Sequence, residues 1–534
     1  MYLKKVMHYC KINIHLAGNI NTYFKESHTM KHSENRSATD VALISLAGRV
    51  LTLFGRTMYL AVFGGANPLI NAFSYALNVP NILFNVVGTA LNTVMIPVYT
   101  SLLAEERRDE AKKFIDNIIS ISIVFIGVLV ALGILAAPAI SYLVAGSGYE
   151  QAVFLTFSLR VLMPVMFFFG FSSIFQGLLQ SNGIFRLPAL VSAPGGIVMI
   201  VYLVFLGDRF GVMGLVFATA FGLFLQPLIM IPAIAKLGYH YKFSFDLKNP
   251  HIRTAAKLSV PVLISVSSYQ VNFLFNNTIA LRNFGIVAVM DYSQQLVQVF
   301  MLTIVYAIAS VYFPKLSVLW AKAERTAYTD SLKNSLLYTI FIVLPAALGF
   351  FLLRYEIMGF LLNWRNVAAS NYGTDILVAG NLLGLYSIGI IAISLKEAID
   401  KAFYAAKDSK TPAFFGFVIM AVNIISTLVL LPYLGLYSMP VAYCISAFLG
   451  TFGLTFRLNS RVRFIDRSLI LNFAKIILAA AIMVLAAGFG KSLEISQITL
   501  VNLLIPAILG AAAYFAAAVV LKIPAILTIL KKGA

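Results

Sequence analysis

The stretch AEERRDEAKK, residues 104–113, separates two apolar runs at about 69–99 and 116–144, and its basic side chains are Arg107, Arg108, Lys112 and Lys113. Either run is longer than the roughly 20 residues a helix needs to cross a bilayer, so the decapeptide reads as a loop at a membrane face. Positive charge in short loops stays on the cytoplasmic side, so it also sets the direction of the flanking crossings. Working outward, every second loop is basic: Arg186, Lys236 to Lys257, Lys315 to Lys333, Lys407 to Lys410, Arg457 to Arg467, and Lys522 to Lys532. The alternate loops carry only Arg209, Arg282, Arg354, Arg365 and Lys491. Moving the count by one would reverse all later loops and destroy this pattern.

The pattern predicts fourteen spans, at about 41–64, 69–99, 116–144, 151–180, 188–206, 211–235, 257–281, 285–314, 332–362, 373–405, 412–432, 435–457, 468–489 and 498–521. Backbone polar groups in lipid must be satisfied within the segment, and these lengths exclude barrel strands. The expected fold is therefore all-α and polytopic, with both termini cytoplasmic. The alternative at 69–99 is a break near Pro80 that leaves a re-entrant piece.

Composition agrees. At 60% hydrophobic and 11% charged residues the chain lies outside the soluble range. The net charge of +19 is spread over juxtamembrane loops facing anionic headgroups, which argues against nucleic acid as a partner. Cys10 and Cys444 form no disulfide framework or zinc spacing. The arm at 1–39 has Lys4, Lys5, Lys11, Lys25, Lys31 and Arg36 but no apolar core of a secretory signal, so it is expected to be disordered and cytoplasmic, with Met30 as an alternative start.

Weak similarity recurs at a nearly constant offset. VALIS at 41–45 answers PVLIS at 261–265, MIPVYTSL around Pro97 answers YFPKLSVL around Pro314, and RLPA at 186–189 answers KTPA at 410–413. Transporters are often built from such repeats. The expected organisation is an N-lobe at 40–240 (spans 1–6), a C-lobe at 241–460 (spans 7–12), and two appended spans with the C-terminus at 461–534. An even number of crossings separates the copies, so their pseudo-twofold axis runs along the membrane normal, with a cavity between pseudo-symmetric six-helix lobes.

Four stretches carry a family resemblance: GRVLTLFGR (48–56), the NAF run from Asn71 through Pro80 and Asn81 to Pro97, LLQSNGIFRLPA (178–189) and, most specifically, AFYAAKDSKTP (402–412). With the fourteen-span layout, the chain resembles the MurJ/MviN lipid II flippases of the MOP exporter superfamily. The resemblance implies outward movement of an undecaprenyl-diphosphate-linked peptidoglycan precursor by alternating access, a cationic central cavity, and a groove by the last two helices for the lipid tail.

Arg49 and Arg56 are the leading substrate-binding candidates. Seven residues of helix return to nearly the same face about 10 Å further along. A charge in mid-membrane costs roughly 2.5–3.5 kcal/mol on insertion scales, so it is a functional hypothesis by default. A guanidinium also offers a diphosphate planar paired donors. The competing reading is that either arginine snorkels or binds a carbonyl.

The chain departs from the family pattern in charge. Thr57 and Asn71 stand where acids are expected, Phe84 and Asn85 where arginines are common, and Gln295 and Gln298 where an arginine and a glutamate are expected. Asn71, Asn81, Asn85, Gln295 and Gln298, with Asn78, Asn92, Gln270, Asn272 and Gln294, either receive a sugar headgroup or hold helices together. Asp291, opposite Asn71 in the repeat, either pairs with a cavity arginine or a coupling cation, or is solvated near the interface. Lys396 with Asp400 and Glu397 with Lys401 have the spacing of helix-surface ion pairs and read as structural or gating. Arg160 either snorkels or meets substrate.

No GxxxxGK[ST] loop and no soluble segment large enough for an ATPase occur, so the expected drive is the membrane potential or a cation gradient, without cofactors or bound metal. The expected function is lipid II flipping in the bacterial inner membrane, with membrane lipids and other envelope-synthesis proteins as partners. The alternatives are a flippase for another lipid-linked oligosaccharide of O-antigen or capsule type, a drug or cation antiporter, and a non-transporting envelope-synthesis scaffold. A membrane glycosyltransferase is excluded by short, nearly acid-free outer loops.

Overall fold

The computed structural model describes Val41 and residues 44–145, 149–362, 372–493 and 499–526. The N-terminal arm, with Cys10 and Met30, and Arg365 lie outside the described residues. The chain runs through α1 (Ile44–Phe63), α2 (Pro68–Ala104), α3 (Arg108–Val144), α4 (Tyr149–Leu162), α5 (Val165–Ser181), α6 (Arg186–Ala189), α7 (Ala193–Phe205), α8 (Gly207–Leu228) and α9 (Ile231–Lys236). It continues as α10 (Pro250–Phe284), α11 (Val287–Ala321), α12 (Arg325–Leu352), α13 (Arg354–Leu362), α14 (Tyr372–Ala405), α15 (Lys410–Leu434), α16 (Ser438–Val462), α17 (Arg467–Ser492) and α18 (Thr499–Val520).

Several helix limits follow from local chemistry. The helices α2 and α10 both start at an Asn-Pro pair, in which Asn67 and Asn249 accept from the amides of Leu69 and His251 and the proline occupies the first turn, where no donor is needed. Breaks within single crossings fall beside Pro164, Pro194 and Pro232, where the ring removes a donor and crowds the preceding turn. By contrast α2 runs unbroken through Pro80, so no re-entrant piece forms there.

Eleven runs among the described residues are long and apolar enough to cross a membrane, and one of them, 53 residues long, holds both α15 and α16. Counted as rods, the helices are compatible with fourteen crossings, and the protein is a multi-pass membrane protein.

The internal repeat is written in the turns. Left-handed backbone occurs at Gly64, Glu106, Gly183, Gly211 and Gly238 in the first half, and at Gly285, Ala323, Lys407, Gly435 and Arg463 in the second. Taken in order, the paired turns follow α1 and α10, α2 and α11, α5 and α14, and α9 and α16, while Gly211 sits at a kink within α8 and Gly435 follows α15. Packing repeats too: α2 lies on α5, α5 on α8 and α7 on α8, as α11 lies on α14, α14 on α16 and α15 on α16. The last two helices pair with each other, α17 against α12 and α18 against α13. Between the halves, α2 lies along α10 and touches α11, and one buried core runs through both.

Candidate functional site between the halves

Arg49 and Arg56 project from α1, whose position is fixed by α7. A Cβ on Gly196 would lie 3.0 Å from backbone atoms of Leu51 and Thr52, so the two helices touch backbone to backbone. The Thr52 hydroxyl donates to the Gly48 carbonyl at 3.0 Å and lies 3.2 Å from that of Ser192. Held in this way, Arg49 is exposed towards the basic end, while Arg56, half-buried, lies within electrostatic reach of Asp291 across the divide.

Away from the basic loops the halves are sealed. Thr57 Oγ1 and Tyr292 OH are 2.7 Å apart, Tyr75 OH and Thr278 Oγ1 3.0 Å, the Ala288 amide donates to Asn71 Oδ1 at 2.9 Å, and Asn78 Nδ2 donates to Asp291 Oδ2. Asn71 is fully buried, and its Nδ2 is committed to the carbonyls of Gly65 and Asn67. In this structure it therefore closes the seal and faces no open space. Asp291 is 4% exposed, which overturns the solvated alternative. The residues that oppose each other in the repeat both bond across the divide, Asn71 to the Ala288 amide and Asp291 to Asn78.

Towards the basic end the facing surfaces part. Arg49 and Asn85 on the first half are exposed, as are Tyr269 and Tyr306 on the second. Asn81 is partly buried, its Nδ2 turned to the Leu77 carbonyl. In the second half a cavity of about 450 Å³ is lined by Tyr269, Asn272, Gln298, Tyr306, Lys396, Glu397, Tyr404 and Tyr443. Gln298 donates to Tyr269 OH at 3.3 Å, and Arg49 lies within electrostatic reach of Tyr306. On the cavity wall both ion pairs of α14 form, Lys396 to Asp400 at 2.5 Å and Lys401 to Glu397 at 2.9 Å. Gln295, partly buried, sits one turn beyond Asp291 on α11. Arg160 is exposed on α4.

The structure thus joins Arg56 with Asp291 and gathers Gln298, Lys396 and Glu397 around one cavity beside Arg49. Residues 60–510 match the sequence profile of the family described as lipid II flippase MurJ. The chain belongs to the MurJ family. It is 25% identical over 437 residues to the lipid II flippase MurJ of Burkholderia cenocepacia, covering 78% of this chain and 83% of that protein. It is 25% identical over 504 residues to the probable lipid II flippase MurJ of Bdellovibrio bacteriovorus, with 91% and 94% covered. Its fold is similar to a solved lipid II flippase MurJ in an inward closed conformation, with a TM-score of 0.75, 21% identity, and 90% of this chain and 98% of the other covered. An inward-facing multidrug-resistance MATE transporter of the MOP superfamily follows the same fold, with a TM-score of 0.62, 16% identity, and 78% and 98% covered.

In this MurJ-family protein the most family-specific stretch, AFYAAKDSKTP, builds a turn at the basic end and lines little of the cavity. Lys407 adopts the left-handed conformation, and Asp408 accepts from the Thr411 amide at 3.0 Å, the Thr411 hydroxyl at 2.7 Å and Arg461 at 2.6 Å. Partial burial would raise the Asp408 carboxyl, but Thr411 and Arg461 outweigh it and hold it at about 2. Nearby, Leu336, Leu395, Ile399, Phe464, Leu469 and Phe473 line an apolar groove of about 270 Å³ between α12, α14, α16 and α17.

Sequence reasoning marked Thr57 only as a lost acid and missed Thr278, the tyrosines of the seal and the tyrosines of the cavity. It also missed the connection between the halves, where Asn117 of α3 exchanges hydrogen bonds with the backbone of Asp246 at 2.6 and 2.8 Å and Asp116 accepts from Tyr239 OH at 2.5 Å. The polar run Asp116, Asn117, Ser120 at the head of an apolar span was the available signal.

Proposed function

We propose that this protein moves lipid II, a polyprenyl-diphosphate-linked peptidoglycan precursor, from the inner to the outer leaflet of the bacterial cytoplasmic membrane. The observation that carries the reading is the pair of arginines on α1, placed between two halves that are joined at one end and parted at the other. The positive-inside rule, applied to the basic loops, supports a cytoplasmic parted end and cytoplasmic termini. A diphosphate entering from that side meets Arg49 first and Arg56 deeper, the glycan lies against the tyrosine and amide wall of the second half, and the apolar groove by α17 takes up part of the prenyl tail. The lobes at 40–240 and 241–460 then exchange the closed end for the open one.

The drive is the membrane potential or a cation gradient. Outward movement of an anion is downhill by about 2.3 kcal/mol per charge per 100 mV, and the same field returns an empty arginine-bearing site. A second reading has one observation behind it: Thr57, Asn71, Gln295 and Gln298 are all neutral, a setting that also suits another polyprenyl-linked glycan of lower charge. Depletion of a cell's flippase with this chain as the sole replacement separates the two. Rescue, with lipid II cleared from the inner leaflet, supports the first, whereas failure to rescue together with accumulation of a different lipid-linked glycan on deletion in its own host refutes it.

A further inference from the structure

The helix α17 packs on α12 and α18, and its free side carries a recess of about 580 Å³ lined by Arg467, Ser468, Leu471, Asn472, Lys475 and Leu478. Every polar group in that lining can donate, two of them are cations, and no carboxylate is among them. Among the described residues neither Arg467 nor Lys475 makes a hydrogen bond or an ion pair. The acid next in the chain, Asp466, is already committed, accepting from Lys333 Nζ at 2.7 Å and from the Leu469 amide at 2.8 Å. Lys475 stands eight residues beyond Arg467, about 12 Å along the helix and inside the apolar run Arg467–Ser492. Side chains of a helix lean towards its N-terminus, so the ammonium points back to Arg467 at the basic end. An ammonium at this depth is costly unless an anion meets it. Further along, the same side of α17 continues as exposed Leu478, Ile482, Leu485 and Phe489. Cations, then a long apolar stripe, follow one another in the order of a lipid's head and chain.

We propose that this side of α17 binds an anionic phospholipid of the leaflet at the basic end, its phosphate between Arg467 and Lys475 and one acyl chain along Leu478, Ile482 and Leu485. Charge complementarity selects the head, since two cations and two neutral donors face a site without an acid. The exposed stripe selects a ligand with a chain over a soluble phosphate, which would use the cations alone. None of the residues lining the cavity between the halves belongs to α17, so this is a second site. The bound lipid sets the depth of α17, whose Leu469 and Phe473 wall the apolar groove on its other side.

Fluorescence quenching by brominated lipids tests this on the full-length protein in bilayers. With Trp320 and Trp364 replaced by Phe, a single tryptophan at exposed Leu471 reports the lipid in the recess, and one at exposed Val128 on α3 reports the bulk bilayer. Quenching by brominated phosphatidylglycerol in phosphatidylcholine is compared with the reverse labelling at the same mole fractions. At Leu471 phosphatidylglycerol should be preferred by about 30-fold, roughly fivefold for each cation, with a preference near one at Val128. Arg467→Gln and Lys475→Gln should each cut the preference about fivefold and together abolish it, whereas Lys475→Arg should keep it. Raising KCl to 1 M should weaken it as well. A preference near one at Leu471, or one that survives the double Gln variant, would overturn the proposal. So would displacement of brominated phosphatidylglycerol by undecaprenyl diphosphate at far lower mole fraction than by unlabelled phosphatidylglycerol, since the site would then serve a prenyl diphosphate.

Discussion

The two ends of the interface between the halves are built from different chemistry. At the non-basic end, side chains from α1 and α2 meet α10 and α11 in short, buried and largely neutral hydrogen bonds. Towards the basic end the same four helices present exposed Arg49, Asn85, Tyr269 and Tyr306, and contact between the halves passes to α3 and the 239–249 connection. Neutral pairs are cheap to break and remake, since each nets about 1 kcal/mol, whereas charge left on an open wall is available to a ligand. Under the proposed function, the difference would put gating at one end and capture at the other.

Capture should fail most sharply at Arg56. Arg56→Ala removes charge-assisted hydrogen bonds to a diphosphate worth about 1.5–3 kcal/mol, so transport in vesicles should fall roughly 10- to 100-fold, with Arg49→Ala costing less because its site is more solvated. Arg56→Lys should recover only part of the loss, since the forked geometry is gone. Equal transport by both alanine variants and the parent would erase the assignment of capture to this end.

Next in size is the joint that keeps the halves together while the basic end is open. Asn117 is fully buried and satisfies both backbone groups of Asp246, so Asn117→Ala leaves two groups short and should destabilise the protein by about 2 kcal/mol. Thermal unfolding in detergent would read this. A negligible shift would mean that the connection is not a fixed joint, and the contrast between a sliding seal and a pinned linker would go.

Smaller still is any single bond of the seal. Tyr292→Phe and Thr57→Val should each shift the gate towards opening by about 1 kcal/mol, roughly fivefold, and the double variant should show little further change, because the two hydroxyls share one bond. Gln298→Ala, on the capture side, should leave the gate where it is. Full additivity of the first two would argue against the bond, and a gate response to Gln298→Ala would blur the division between the ends.

How much of this could be read beforehand depends on whether the signal is local. The crossings were legible because apolar length is a property of the chain itself, and the arginines of α1 stood out because an ion in an apolar run is rare. The duplication showed only faintly, since left-handed turns are conspicuous at glycine but are carried by Glu106, Ala323, Lys407 and Arg463 in four of ten places. The seal was not legible. A threonine or tyrosine in a membrane helix is unremarkable until the fold brings Thr57 to Tyr292 or Tyr75 to Thr278. Asp291 was marked as chemistry from its place in the repeat, but its burial depends on α2, which periodicity cannot supply.

The least of the expected effects tests whether the turn at the basic end belongs to the capture side or merely frames it. Asp408 is held at about 2 against an ordinary 3.8, so its bonds to Thr411 and Arg461 contribute fully above the ordinary value and are lost as pH falls through the lowered one. Between about pH 4 and pH 2 the parent should lose thermal stability that Asp408→Asn, already lacking the charge, does not lose. At neutral pH the variant should transport nearly as well as the parent, because Asp408 anchors the joint between α14 and α15 from outside the cavity. If transport instead falls as far as it does in Arg56→Ala while stability is kept, this turn takes part in capture, and the working surface at the basic end extends beyond the two arginines.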